Sequence, residues 1–330
     1  MTTLGNTFLD LSFRTAWPEI AGGCNRVQPC GGGLSGAQVL RITTPGGCYR
    51  LDLLPSDWPG DRLAAAAALS TAAEQAELPF MASRIACLAG RVSHGRLQSD
   101  AGWLELRPWL AGDVVGATAW SANHSRQSAE ALARLHNCTP VAGHGPSAAM
   151  LRRRSLLGAG DAALACQLPG AQVVTVAGKT IRLPSRREWD RCWQQAQHLV
   201  DQASGHTFDL QPCWGDAWRG NVLFDGAQLT GIIDFAAAVV DTPALDVARL
   251  AGSADGDNCQ VVLASYSVLR PLSAVDHLAV AAFDASGIVL SLKNWLGWLA
   301  DGLPQTKSPA AAERISHLAR RIATGPLAAW

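Results

Sequence analysis

The run Trp214-Gly215-Asp216-Ala217-Trp218-Arg219-Gly220-Asn221-Val222-Leu223-Phe224, then Asp225-Gly226, then a second apolar run from Ala227 to Phe235, constrains the fold more than any other segment. Asp-Gly between apolar runs favours a two-residue hairpin turn in which both central residues take positive φ. The two arms then run antiparallel, which returns Asn221 and Asp234 to the same end of the hairpin, with Asp216 just before it. Two carboxylates and an amide gathered in this way suit magnesium-dependent phosphoryl transfer: one carboxylate handles the acceptor hydroxyl and the others bind metal. An Asp cap, an Asn in a turn and an Asp at a strand end are each common alone, so the spacing by itself leaves a structural use equally open.

Upstream, residues 38–43 and 48–54 read as strands around the turn Thr44-Pro45-Gly46-Gly47, preceded by the glycine-rich loop Gly31-Gly32-Gly33-Leu34-Ser35-Gly36. An alanine-biased helix is expected over 63–76, and residues 91–97 and 102–106 read as a further strand pair ending at Arg107-Pro108-Trp109. Past Pro108 the pattern turns helical, which places a lobe boundary there: residues 1–108 and 109–330. Residues 129–136 read as a helix. The last helix is punctuated by Ser308 as cap, Pro309 in the first turn, the stripe Ile315, Leu318, Ala319 and Ile322, and Gly325 at its end. The expected fold class is α+β, a small mixed lobe followed by a larger, mainly helical one.

Composition narrows the partners. Lys plus Arg and Asp plus Glu number 27 each, so no chain-wide positive field exists to hold nucleic acid or anionic lipid. Nine scattered cysteines form no C-x-x-C pair or metal-ligand spacing, as in a reduced, cytoplasmic protein. The first residues show no signal-peptide pattern, and apolar stretches such as Leu63 to Ala73 are too short to span a bilayer. The absence of a G-x-S-x-G elbow or zinc signature argues against a hydrolase. Oligomeric state is not readable.

Asp to Asn at a spacing of five, followed by a strand-borne Asp, is the kinase catalytic-loop arrangement. The segment WGDAWRGNVLFDGAQLTGIIDFAAAVVDTPALDVARL, from Trp214 to Leu250, resembles the aminoglycoside phosphotransferase and choline kinase family of the protein-kinase-like fold. Ala131-Leu132-Ala133-Arg134-Leu135-His136 is similar to that family's helix ahead of the catalytic loop, and Gly32-Gly33-Leu34-Ser35 to its nucleotide loop. The resemblance implies a two-lobed fold, Asp216 as catalytic base, Asn221 and Asp234 as Mg2+ ligands, and Asp246 as a structural residue. It also implies ATP or GTP as co-substrate, held by Gly32, Gly33, Ser35 and Gly36, with a small-molecule hydroxyl as acceptor.

Departures from the family pattern are equally specific. Trp214 stands where the family has histidine. The strand Cys48-Tyr49-Arg50-Leu51-Asp52 lacks the phosphate-binding lysine, and no lysine occurs before Lys179. Asp52 takes that lysine's place, where a carboxylate repels phosphate. Arg50, two residues away on the same strand face, is the substitute cation. Ala66 stands where the partnering Glu belongs, with Glu74 and Glu77 about two turns later. Arg219, inside the catalytic loop, could contribute positive charge to the transferring phosphate, although an exposed loop arginine is the commoner case, while Trp218, Trp295 and Trp298 are candidates to line an acceptor pocket. Two readings remain: a small-molecule phosphotransferase, or a pseudokinase-like binding or regulatory module with a degenerate nucleotide site.

Overall fold

The computed structural model describes residues 11–32, 37–100, 102–159, 173–254, 256–302 and 308–325, which form two compact units. The first joins residues 1–140 with 212–240, so the expected boundary at Pro108 falls inside it. Its chain opens with short helices α1 (Leu11–Ala16) and α2 (Pro18–Gly22). Six strands follow in one antiparallel sheet: β1 (Arg26–Gly32), β2 (Gln38–Thr44), β3 (Gly47–Leu54), β4 (Arg91–Ser93), β5 (Arg96–Ser99) and β6 (Gly102–Pro108), in the order β1-β2-β3-β6-β5-β4. Helix α3 (Gly60–Gln75) connects β3 to this second half of the sheet.

Alternation along the strands sorts the two faces. Leu51 and Leu53 of β3, Leu104 and Leu106 of β6, and Leu97 of β5 join Leu40, Ile42, Phe13 and Trp17 in one buried cluster. The residues between them, Arg50 and Asp52 on β3 and Glu105 and Arg107 on β6, necessarily face the other way. The β2–β3 hairpin closes as expected, with Thr44 opposite Gly47. The expected strand over 91–97 is instead two strands, because His94 and Gly95 both take positive φ and turn the chain back on itself. Two consecutive positive-φ residues make the tight hairpin turn whose twist matches its strands.

The unit is completed by β7 (Asp113–Val114), helix α4 (Ala122–Cys138) and a hairpin of strands Val222–Asp225 and Gln228–Ile232. Ser121 and His124 form a reciprocal cap at the start of α4, extending it beyond the expected 129–136. In the hairpin Asp225 pairs with Gln228, so the central turn residues are Gly226 and Ala227, one position later than expected. Gly226 alone carries the positive φ there, +58°.

The second unit, residues 141–211 and 241–330, is mainly helical: α5 (Ala148–Gly158), α6 (Arg186–Ala203), α7 (Ala244–Ser253), α8 (Asn258–Leu269), α9 (Ala274–Ala300) and α10 (Pro309–Thr324). Helix α10 has the expected punctuation: Ser308 Oγ accepts from Ala311 N–H, and Gly325 ends it at φ +95°. Helix α9 packs against α6, α7 and α10. It corrects the expectation that no segment is long and apolar enough to cross a bilayer. By length and composition α9 is, yet 61% of its most apolar window is buried, as in the core helix of a helical bundle.

Candidate active site

The loop entering the hairpin is shaped by three local requirements. Gly215 has φ +79°, and a Cβ there would stand 2.0 Å from the Ala237 carbonyl oxygen, so only glycine lets the chain pass. Trp214 is buried, and its Nε1–H is shared between the carbonyls of Ile233 (3.1 Å) and Asp234 (2.8 Å). The short turn Arg219–Asn221 then brings the Asn221 side chain back towards Asp216. Its Nδ2 donates to the Asp216 carbonyl at 3.0 Å and to Asp216 Oδ2 at 3.2 Å. This leaves the Asn221 amide oxygen as the atom that can ligate a cation.

Hairpin register does the rest. Val222 pairs with Ile232, and Ile233 N–H donates to the Asn221 carbonyl at 3.0 Å, which seats Asp234 beside the loop as the sequence requires. Asp234 itself is strained, with φ +63°, and its Oδ1 accepts from Ala236 N–H at 3.3 Å. The indole of Trp214 therefore braces the strained residue through its carbonyl. Trp214→Phe keeps an aromatic ring but removes this donor and part of a fully buried side chain. It should cost about 1–3 kcal/mol of unfolding free energy, measured by urea denaturation, through two half-buried carbonyls that lose this donor and the volume removed from a buried site.

Above Asp234 lies a cavity of about 280 Å3. Its charged wall is the second face of the sheet, where Arg50, Asp52, Arg96, Glu105 and Arg107 gather. Ala37, Val39, Leu54 and Met81 add apolar surface. Leu110, Gly112 and Val114 form the connecting lip, and Leu223 and Ile232–Ala236 lie on the hairpin side. Gly112 is required at the lip: at φ +95° its Cβ would meet the Phe224 carbonyl oxygen at 2.7 Å.

Asp52 does not stand alone against incoming phosphates, as its sequence position implied. Arg50 holds it through Nε, 2.9 Å from each carboxylate oxygen, and through Nη2 at 2.8 Å. Arg50 and Asp52 thus form an ion pair contained in one strand. Ala66, on α3, is buried, and Glu74 is occupied by Arg84 at 3.1 Å, so neither supplies the missing carboxylate. Burial opposes the Arg50 charge, but Asp52, and then Asp234 and Glu105, hold its pKa above the ordinary arginine value.

Burial, and next the neighbouring Asp216, push the Asp234 carboxyl above its ordinary range, while Arg50 pulls it back. Asp234, whose charged form is disfavoured by burial and by Asp216, stands with Asp216 and the Asn221 amide oxygen as a hard-oxygen donor set that suits a small divalent cation. Those residues therefore fit Mg2+.

The structure brings Asp216, Asn221, Asp234 and Arg50 into the first unit around one loop and cavity. Gly32 ends β1, whereas Gly33, Ser35 and Gly36 lie outside the described residues. Arg219 is buried, only 4% exposed, and not the surface arginine expected. Trp218 is half-buried in the loop. Trp295 and Trp298 pack edge-on at 5.2 Å in α9 of the other unit. Sequence reasoning missed Arg96, Glu105 and Arg107. The available signal was the alternation Leu104-Glu105-Leu106-Arg107, which marks a charged face without saying what that face meets.

Fold and site together define a protein-kinase-like, α+β protein. Several solved phosphotransferases share the fold at low identity. Spectinomycin phosphotransferase, solved with ADP and spectinomycin, aligns at TM-score 0.61 and 11% identity over 89% of this chain and 88% of its own. A choline/ethanolamine kinase family protein from Mesorhizobium loti aligns at 0.59 and 16% over 93% and 96%. The GDP complex of aminoglycoside 2'-phosphotransferase-IIIa aligns at 0.58 and 17% over 98% and 99%. Residues 26–267 match the phosphotransferase enzyme family, and the chain belongs to that family. A homoserine kinase from Janthinobacterium sp. (strain Marseille) is 32% identical over 138 residues, 37% of this chain and 42% of its own. One from Methylobacillus flagellatus is 30% identical over 130 residues, 35% and 40%. The chain spans about two fifths of the length of these curated relatives.

Proposed function

We propose that this protein moves the γ-phosphate of ATP or GTP to a hydroxyl group of a small molecule. The observation that carries this reading is the convergence of Asp216, Asn221 and Asp234 beside a cavity whose opposite wall offers Arg50. Asp216 accepts the proton of the acceptor hydroxyl as its oxygen attacks the γ-phosphorus. The bond from that phosphorus to the bridging oxygen breaks, and the nucleoside diphosphate leaves. Asn221 and Asp234 hold Mg2+, which supplies charge neutralisation at the phosphates. Arg50, fixed by Asp52, faces the phosphates from the strand side, and the apolar surfaces of Val39, Leu54, Leu223 and Ile232 suit a flat base.

The partial likeness to two homoserine kinases puts an amino-acid alcohol first among acceptors, ahead of choline, ethanolamine and aminoglycosides. Incubation with magnesium, ATP or GTP and each acceptor, read as nucleoside diphosphate released and phosphate ester formed, tests the reading. Ester formation with at least one acceptor, lost without magnesium, is the expected result. Metal-dependent nucleotide binding with no transfer to any acceptor would instead favour the binding or regulatory module, whose support is the carboxylate of Asp52 inside the cavity.

A further inference from the structure

Among the described residues, one arginine of the cavity wall has a buried nitrogen without a hydrogen-bond partner. Arg96 lies on β5, next to the Leu97–Leu104 pair, with its side chain 6% exposed. Its Nη1 donates to the Leu63 carbonyl of α3 at 3.4 Å, and its Nη2 lies 2.9 Å from Glu105 Oε2. Its Nε is buried and has no hydrogen-bond partner among the described residues. A buried donor left unpaired is destabilising, and a guanidinium is a rigid fork built to meet an oxyanion.

Arg107 differs in this respect. Its Nε donates to Glu105 at 2.6 Å, its Nη2 to Ser70 Oγ at 2.6 Å, and its Nη1 to the Ala82 carbonyl, so all three nitrogens are engaged. Glu105 sits between the two arginines, its Oε1 accepting from Arg107 Nε and its Oε2 2.9 Å from Arg96 Nη2 as an ion pair outside hydrogen-bond geometry. Burial works to raise its pKa, but Arg107 and Arg96 outweigh that and keep it ionised, below the usual carboxylate range. On the sheet wall, Arg50, Arg96 and Arg107 stand with Asp52 and Glu105, a surplus of one positive charge in the cavity that Asp234 also lines. The three lysines are residues 179, 293 and 307, all in the second unit, so arginine is the only long cation the first unit has to offer.

We propose that Arg96 is a second phosphate ligand, its buried Nε–H donating to a phosphate oxygen of the nucleotide, with Glu105 and Arg107 as positioning residues that hold its guanidinium in place. This assignment rests on the nucleotide-binding reading above. It divides the work of a single strand lysine between Arg50, at the Asp234 side, and Arg96, deeper on the sheet.

Calorimetric titration with the nucleoside diphosphate that binds wild type, with its nucleoside and with inorganic tripolyphosphate, each with magnesium, tests it. Arg96→Gln should weaken the diphosphate and tripolyphosphate by about tenfold or more and leave nucleoside affinity within about twofold. Arg96→Lys, which keeps charge and length but lacks the Nε–H, should show the same selectivity with a smaller loss. It serves if the Gln variant fails to fold. Equal loss for nucleoside and diphosphate, or unchanged diphosphate affinity in a folded variant, would overturn the assignment while leaving the functional reading intact. Wild-type protein that binds neither diphosphate nor tripolyphosphate would overturn both.

Discussion

Asp216→Asn should slow phosphoryl transfer by roughly two to four orders of magnitude, the range for loss of a positioned proton acceptor. Nucleotide affinity should change little. The substitution is nearly isosteric and keeps an oxygen where Asn221 Nδ2 donates, so the loop should retain its shape. What disappears is the negative charge proposed to receive the hydroxyl proton. Steady-state kinetics with a competent acceptor would show the loss in kcat with a nearly constant KM for nucleotide. A variant that transfers phosphate at the wild-type rate would remove Asp216 from the chemistry, and a large rise in nucleotide KM would recast it as a binding residue.

Asp234→Asn should give two opposite signs in one protein. Burial and Asp216 raise the Asp234 pKa above its unfolded value. A carboxyl raised in this way contributes stability that is full below the unfolded pKa and is lost as pH rises through the folded one. At pH 7 without metal, ionised Asp234 is therefore a burden that asparagine removes, while the hydrogen bond from Ala236 N–H survives. The variant should melt higher than metal-free wild type at pH 7, and the difference should close below about pH 4, where the wild-type carboxyl is also neutral. With magnesium and nucleotide present the order should reverse, since only wild type gains stability from the bound metal. Thermal melts at both pH values, with and without magnesium nucleotide, check both signs.

The hairpin and its three polar residues were legible because they depend on local constraints: Gly215, a turn glycine at 226, and strand register that seats Asn221 and Asp234 together. Helix α10 was legible for the same reason, its caps lying in the sequence that they close. Misreadings arose where two local signals competed. His94-Gly95 sat inside an apparently continuous strand, and Asp225-Gly226 was placed one residue early. The charged wall was not legible, because alternation assigns Glu105 and Arg107 to a face without revealing whether that face meets water, a helix or a ligand. The Arg50–Asp52 pairing is hidden for the same reason. Arg50 stands two residues away in the sequence, but its bidentate contact with Asp52 is a property of side-chain geometry.

Calorimetric titration of wild-type protein with ATP and with GTP, in the presence of magnesium and then of EDTA, tests the central claim most directly. Binding of at least one nucleotide in magnesium, weakened by about tenfold or more in EDTA, is the result predicted from a metal held by Asn221 and Asp234 beside the arginine wall. A folded protein that binds neither nucleotide, or binds one equally well in EDTA, would contradict it.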